Sequence, residues 1–176
     1  MPLEPTALTA VGADGANRIA QAGGTSYGFD AEGQTATKAE PGGATQYGWD
    51  GRGRLTRATL PNGQAVTYGY DALGRRANRS SGGATTTFLY DGADVVLDNG
   101  SDGGSVDYIN GPGIDDKLRQ TTSSSPLYFL QDHLGSTIAL TDGSGAAVER
   151  QRYEPFGKSS ERESGQMASH SRVIQS

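Results

Sequence analysis

The sequence predicts an all-β protein built from antiparallel β-hairpin repeats that join into one ribbon. An aromatic pair spaced i, i+2 is followed directly by aspartate four times, and the four aspartates are 20, 21 and 20 residues apart. The 27 glycines oppose long helices. A period this short also excludes the common helical repeats of ~33–47 residues. The four copies are Tyr27-Gly28-Phe29-Asp30, Tyr47-Gly48-Trp49-Asp50, Tyr68-Gly69-Tyr70-Asp71 and Phe88-Leu89-Tyr90-Asp91.

The best-formed repeat, residues 60–79, contains a turn, a strand, a second turn and a second strand. Its first turn contains Asn62-Gly63, a pair that predicts a type I′ hairpin turn because both residues tolerate positive φ. Val66, Tyr68 and Tyr70 then alternate with small or polar residues, as in a strand with one buried face. The aromatic pairs of neighbouring repeats should therefore share one face of the sheet.

The second turn, Asp71-Ala72-Leu73-Gly74, predicts how each repeat reverses the chain. The carboxylate of Asp71 should accept hydrogen bonds from backbone N–H groups two or three residues further on. Gly74 should take a left-handed conformation, which costs a residue without Cβ little. Two strands of ~5–7 residues and two tight turns account for the period.

The repeat pattern divides the chain into four segments. Residues 1–13 form an N-terminal lead-in with a partial repeat, and residues 14–100 contain the regular repeats. In residues 101–157 the spacing loosens, although strands are predicted at 106–109 and 128–130. Residues 158–176 contain no aromatic residue, so we expect this tail to be disordered.

Composition excludes several classes of function. A net charge of -5 gives no basic face for nucleic acid, and no apolar run is long enough for a membrane span. The opening Met1-Pro2-Leu3-Glu4 is unlike a signal peptide. With no cysteine there are no disulfides. Because aliphatic residues are few, the aromatic rings should supply the core, with Trp49 buried.

The segment Tyr68-Gly69-Tyr70-Asp71-Ala72-Leu73-Gly74-Arg75-Arg76 resembles the signature of the RHS/YD-repeat family. Three later segments resemble part of the RHS-repeat-associated core region of bacterial polymorphic toxins and toxin-complex shell proteins. They are Tyr108-Ile109-Asn110-Gly111-Pro112-Gly113-Ile114-Asp115, Tyr128-Phe129-Leu130-Gln131-Asp132-His133-Leu134-Gly135-Ser136 and Tyr153-Glu154-Pro155-Phe156-Gly157.

This resemblance implies a curved, spiralling sheet, here an open fragment of a YD-repeat shell that encloses a C-terminal toxin. The family's core region ends in an aspartyl self-cleavage site near Asp-Pro, but this chain contains no Asp-Pro. No catalytic, cofactor-binding or metal-binding residue is therefore carried over. The structural repeat motif comprises Tyr27, Phe29, Asp30, Gly33, Tyr47, Trp49, Asp50, Gly53, Arg54, Tyr68, Tyr70, Asp71, Gly74, Arg75, Phe88, Tyr90, Asp91, Asp132, Leu134, Gly135, Tyr153, Pro155, Phe156 and Gly157.

Two groups of residues allow either a binding role or a purely structural role. The aromatic pairs could stack on sugar rings, but regular spacing favours packing within the sheet. Arg54, Arg75 and Arg76 could form a recognition patch. We expect instead that they face outward and pair with turn aspartates of adjacent repeats, where each exposed pair contributes under about 1 kcal/mol.

Three further motifs suggest chemistry that their context does not favour. Asp132-His133 with Ser136 could be catalytic, yet Asp132 and Gly135 are spaced to form a turn, with His133 on its exposed side. The pair Asp115-Asp116 could bind Ca²⁺, but adjacent side chains in an extended segment point to opposite faces. Gly103-Gly104 lacks the context of a phosphate loop.

We therefore predict a non-enzymatic structural shell fragment without cofactors. Its predicted partners are neighbouring YD repeats of a longer chain or an enclosed toxin, with export machinery or cell-surface glycans as further partners. The resemblance implies a secreted or cell-surface location. The alternative is a secreted or surface module that binds carbohydrate or protein through the outer face of the ribbon. A third hypothesis makes residues 158–176 a docking peptide.

Overall fold

The computed structural model describes residues 11–113, 116–122 and 125–153 and the backbone of 159–164. The chain divides after Thr86 into two compact units, and the division falls within strand β9, Ala84–Asp91. No helix is present in these ranges, so the predicted all-β class is confirmed.

In the first unit, each strand pairs antiparallel with the next along the chain, as a series of hairpins requires. This confirms the predicted hairpin repeats. The strands are β1 Val11–Ala13, β2 Ile19–Ala22, β3 Thr25–Phe29, β4 Thr35–Glu40, β5 Gly43–Trp49, β6 Leu55–Thr59, β7 Ala65–Tyr70 and β8 Arg76–Ser81.

The register of this unit places the first aromatic of each repeat on a common face. Tyr47 lies opposite Ala58, and Ala58 lies opposite Val66 on the following strand. Register partners in antiparallel strands share a face, so these side chains cover one another. Ala58 and Val66 are each 7% exposed and are the buried apolar residues among those described in the first unit.

Trp49 is half-buried, and the prediction that it would be buried is wrong. Four tyrosines are half-buried as well, namely Tyr27, Tyr47, Tyr68 and Tyr70. Each ring is covered by side chains of its own sheet, and no second layer packs over it among the described residues of this unit. Alternation therefore identifies the face correctly but overestimates its burial.

The turn at Asn62-Gly63 is not type I′, because Gly63 has φ +81° while Asn62 does not have a positive φ. The backbone N–H of Gly63 donates to Leu60 O at 2.9 Å, which closes a four-residue turn from Leu60 to Gly63. Pro61 occupies the second position, where its fixed φ favours type I geometry. Two adjacent residues with positive φ occur instead at Gly82 and Gly83.

The second unit continues the same antiparallel pairing from β10 onward. Within the described ranges of this unit, Tyr108, at 6% exposure, is the buried apolar residue. Strands β11 and β13 confirm the predicted strands at 106–109 and 128–130. The strands are β10 Asp94–Gly100, β11 Ser105–Asn110, β12 Lys117–Thr121, β13 Pro126–Gln131, β14 Thr137–Thr141, β15 Ala147–Tyr153 and β16 Ser159–Ser164.

Strand β16 corrects the prediction of a disordered tail for the segment that it occupies. It pairs with β15 from Glu149 opposite Ser164 to Tyr153 opposite Ser159. A strand needs backbone partners more than apolar side chains, and β15 supplies those partners. The rest of the predicted disordered tail lies outside the described residues.

Candidate functional site

The candidate site is a hairpin turn that recurs along both units. In the copy from Asp50 to Arg54, the Asp50 N–H donates to Arg54 O at 2.9 Å and the Gly53 N–H donates to Asp50 O at 2.9 Å. Gly53 has φ +75°, which only glycine adopts at little cost. The same backbone pattern begins at Asp14, Asp30, Asp50, Leu60, Asp71, Gly100, Asp132 and Asp142.

The Asp50 carboxylate closes the turn from inside. Its Oδ1 accepts the N–H of Arg52 at 2.9 Å and the N–H of Arg54 at 3.0 Å. These donors lie two and four residues after Asp50. The predicted donor two residues on is therefore confirmed, and the second donor lies four residues on rather than three. The reason is the glycine at the fourth position, which bends the next N–H back toward the carboxylate.

The arginine at the fifth position of the turn forms an ion pair with the aspartate at the first position. Nε of Arg54 donates to Asp50 Oδ2 at 2.8 Å, and a second guanidinium nitrogen lies 2.7 Å from the same oxygen. Arg18 forms the same pair with Asp14, and Arg75 with Asp71. The predicted pairing with aspartates of adjacent repeats is therefore wrong, because the five-residue turn already brings its own arginine within reach.

These contacts hold carboxylate pKa values below their usual range. The side-chain hydrogen bond from Arg54, and then its backbone N–H, lower the pKa of Asp50 from 3.8 to about 2. The backbone N–H of Arg18 and then its side chain lower the pKa of Asp14. For Asp71, burial alone would raise the pKa, but the hydrogen bonds from Arg75 outweigh it and the net direction is downward.

The same arginines also reach the aromatic residue that ends the next repeat. The guanidinium carbon of Arg54 lies 4.6 Å from the ring centroid of Tyr70, and that of Arg18 lies 4.2 Å from the ring of Phe29. A cation over a ring face is attracted by the ring quadrupole. The expectation that Arg54 faces outward is thus wrong, because the ring offers its side chain a partner.

A second recurring contact joins the end of one strand to the start of the strand before it. Nε1 of Trp49 donates to Thr35 O at 2.8 Å, and the Tyr70 hydroxyl donates to Leu55 O at 2.8 Å. We call the residue that makes this contact the strand-end donor. Its further copies are Asn110 to Val95 O at 3.0 Å, Gln131 to Lys117 O at 3.5 Å and Tyr153 to Thr137 O at 2.9 Å.

Sequence reasoning missed Asn110 and Gln131, because it searched for aromatic residues at this position. What the five residues share is a side-chain N–H or O–H that can reach the neighbouring backbone. The available signal was therefore a donor at the end of each strand rather than a ring. Phe29 has no such group, and Arg18 covers its ring instead.

In the copies at residues 27–29 and 68–70, the glycine between the two aromatic residues lies beneath the side chain of its register partner on the next strand. A Cβ placed on Gly69 would lie 2.6 Å from the side-chain amide of Asn78, which is its register partner. Gly28 likewise faces Thr37 across the strands. Glycine at these positions lets the opposite side chain lie flat on the sheet.

The fourth predicted copy departs from the pattern. Asp91 lies at the end of β9 rather than at the start of a five-residue turn, and Gly92 follows with φ +59°. The position that would hold the turn glycine is occupied by Asp94, so the chain reverses through Gly92 and Ala93. Phe88 and Tyr90 are half-buried in this strand.

The Asp132 motif forms a turn of the same kind. Asp132 Oδ1 accepts the N–H of Leu134 at 2.8 Å and of Ser136 at 3.0 Å, and Gly135 has φ +82°. His133 is exposed, and Leu134 is 78% exposed at the tip of the turn. The structure therefore brings Asp132 and Ser136 together as turn residues, with His133 on the solvent side as expected.

The remaining candidates show no arrangement that points to chemistry. Gly103 has φ +83° in a turn of the recurring kind. In the described ranges, His, Asp and Glu side chains nowhere form a group of three or more that could hold a metal ion. No helix in these ranges has the length and apolar character needed to cross a membrane. Asp115, Pro155, Phe156 and Gly157 lie outside the described residues.

Comparison with known proteins places these repeats in a family. The family model described as Teneurin YD-shell matches residues 5–98, which is 94 of 176 residues. Among curated proteins, no match was found.

Solved structures with a similar fold include TcdB2-TccC3 and related complexes. The match to TcdB2-TccC3 has 19% sequence identity and a TM-score of 0.58, over 77% of this chain and 8% of that chain. The match to TcdB2-TccC3-Cdc42 has 20% identity and a TM-score of 0.58, over 77% of this chain and 8% of that chain. At such identity the likeness shows the fold, and the chain spans less than a tenth of those chains.

The family match over the repeats and the recurring turn agree with each other, and the predicted YD-repeat family is confirmed. The chain belongs to the teneurin YD-shell family, and its role is a structural one as part of a shell.

Proposed function

We propose that this chain helps to enclose a protein passenger, a C-terminal toxin or effector, within a YD-repeat shell, and that it does so without catalysis. The observation that carries the proposal is the recurrence of two contacts along the described part of the array, the closed turn and the strand-end donor. Both contacts join consecutive strands of the array through hydrogen bonds. Such an array is suited to build a wall.

The partners that fit this role are further YD repeats and the passenger. The similarity to TcdB2-TccC3 supports this choice at the level of fold. A secreted or cell-surface location follows from the same role. The division into repeats at 14–100, a core-type region at 101–157 and a separate tail remains part of the proposal.

The test is protease protection in the native polypeptide that carries these residues. We expect limited proteolysis to leave an internal passenger intact until the shell is unfolded with denaturant. Negative-stain microscopy of the same sample should show a hollow particle. A passenger that is digested in the native protein as fast as in the free state would contradict enclosure.

A matched pair of glycine variants connects this test to the turn. Gly74→Val should open the wall and expose the passenger, because Gly74 has φ +86° and a β-branched residue cannot adopt it without strain. Gly51→Ala should keep the passenger protected, since Gly51 lies in an equivalent turn without positive φ and with open space around it. His133→Ala should leave both protection and passenger release unchanged.

A further inference from the structure

The position before the strand-end donor changes character between the two units. In the first unit this position is glycine, at Gly48 and Gly69, and in the second unit it is Ile109, Leu130 and, before Tyr153, Arg152. Ile109 is 46% exposed and Leu130 is 47% exposed. At Ile109 and Leu130, large aliphatic side chains are therefore exposed at a position that is glycine at Gly48 and Gly69.

The register gathers these side chains into two neighbouring rows on one face of the second unit. One row runs from Ile109 through Arg119 to Tyr128. The other runs from Leu130 through Ala139 to Arg150. Tyr128 and Leu130 are two residues apart on β13, so the rows lie side by side on the same face. We call these six residues the apolar rows.

The rows adjoin an open depression with a volume of about 720 Å³. Leu130, Ile138, Ala139, Arg150 and Tyr153 are among the residues that line it. Tyr128 does not line the depression and is 40% exposed, so exposed apolar side chains continue beyond it along β13. A contiguous exposed apolar surface of this kind marks an interaction site.

The charges within the rows are both positive. Arg119 lies between Ile109 and Tyr128, and its Nε is covered and makes no hydrogen bond within the described part of the chain. Arg150 is the last residue of the second row, and its register partner on β16 is Glu163. Because both of these charges are positive, a partner that lies on the rows should carry an acidic group beside its apolar side chains.

We propose that the apolar rows bind an extended segment of a partner chain that carries aliphatic and acidic residues on one face. In an extended chain, every second side chain lies on the same face and recurs at ~6.6–6.8 Å. Tyr128 and Leu130 repeat at the same interval, so a segment lying along β13 can place successive side chains of that face on both rows. A second copy docking through the same face would set Arg119 against Arg119, which disfavours self-association there.

This inference goes beyond the proposed function, because binding at the rows does not require that the shell enclose anything. The probe is a short dye-labelled peptide in which leucine and glutamate take turns at every second position, with serine between them, titrated with the 176-residue chain and followed by fluorescence anisotropy. The same peptide with lysine in place of glutamate is the comparison. We expect saturable binding of the glutamate peptide and clearly weaker binding of the lysine peptide.

Three variants locate the binding surface. Leu130→Ser should weaken binding about tenfold, because it removes one buried aliphatic contact. Arg119→Glu should reverse the preference between the two peptides. Leu134→Ser is the control, since Leu134 is 78% exposed at a turn tip outside the rows, and it should bind as the parent does. Circular dichroism checks that each variant folds.

Several outcomes would overturn the proposal. Equal loss of binding in Leu134→Ser and Leu130→Ser would show that binding is not at the rows, and so would the absence of binding by either peptide. Concentration-dependent sedimentation that disappears in Leu130→Ser would show that a second copy occupies the rows. Tight binding to anionic vesicles, lost in Leu130→Ser, would assign them to a lipid surface instead.

Discussion

The guanidinium group of Arg54 lies over the ring of Tyr70, with its central carbon 4.6 Å from the ring centroid. The same side chain is hydrogen-bonded through Nε to Asp50 at 2.8 Å. One arginine thus ties the turn of its own repeat to the strand end of the following repeat. Stability should be shared between neighbouring repeats through this contact, as nearest-neighbour coupling in repeat proteins requires.

Replacing Arg54 should therefore reduce stability in a way that depends on Tyr70. Arg54→Ala is expected to lose about 1 kcal/mol of unfolding free energy through the ring contact. In the Tyr70→Leu background the same change should cost less, because the ring is already absent. Urea unfolding followed by Trp49 fluorescence gives both values. Identical losses in the two backgrounds would show that the ring contact contributes nothing.

The strand-end hydrogen bond can be removed without changing the shape of the side chain. Tyr70→Phe deletes the hydroxyl that donates to Leu55 O at 2.8 Å, and we expect a loss of about 1 kcal/mol. Tyr68→Phe is the control, since its hydroxyl makes no hydrogen bond to protein in the part of the chain that the structure describes. Comparable losses in the two variants would argue against a special role for the strand end.

The turn glycine can be tested by a single methyl group. Gly74→Ala should destabilise by about 1 kcal/mol, because Gly74 has φ +86° and alanine is strained there. Gly51→Ala, at a turn position without positive φ, should be neutral or slightly stabilising. Thermal unfolding by circular dichroism distinguishes them. If Gly74→Ala unfolds at the parental temperature, the left-handed conformation is not required.

Acid should weaken the Asp50 turn in a defined pH range. The folded pKa of Asp50 is lowered from 3.8 to about 2 by the hydrogen bonds from Arg54. A lowered folded pKa means that the contribution to stability is complete above the unfolded pKa and is lost as pH falls from about 4 to about 2. Asp50→Asn should therefore be less stable than the parent at neutral pH, and the two should converge near the lower limit.

Parallel unfolding titrations of the parent and of Asp50→Asn across this pH range provide the measurement. Arg54→Gln supplies a second variant, because removing the guanidinium should move the acid transition of Asp50 to higher pH. A stability difference between the parent and Asp50→Asn that stays constant down to the lowest pH would contradict the assigned role of the carboxylate.

The sequence was sufficient to predict the strands of the regular repeats, two of the later strands and several turns, because their signals are local. Aspartate and glycine at fixed spacing determine the hairpin at Asp71 and Gly74 through backbone geometry. The turn at Asn62-Gly63 was mispredicted because Pro61 fixes φ one residue earlier, and that constraint outweighs the preference of the Asn-Gly pair. Strand β16 was missed because its pairing depends on backbone groups of β15 rather than on its own side chains.

The candidate site was harder to predict than the fold. That Arg54 pairs within its own turn and covers Tyr70 depends on the reach of a long side chain, which spacing alone does not give. The half-burial of Trp49 reflects a sheet face that only side chains of the same sheet cover. The exposed Ile109 and Leu130 became meaningful only when the register placed them beside Arg119.

The strand-end contact has a consequence for how such chains can diverge. Tryptophan, tyrosine, asparagine and glutamine all perform it at Trp49, Tyr70, Asn110 and Gln131, although they share neither size nor hydrophobicity. A single hydrogen-bond donor at the strand end is therefore enough to keep this contact while the aromatic sequence motif is lost. Repeats of this kind can therefore persist in chains whose sequence no longer contains the tyrosine–aspartate pair by which they are recognised.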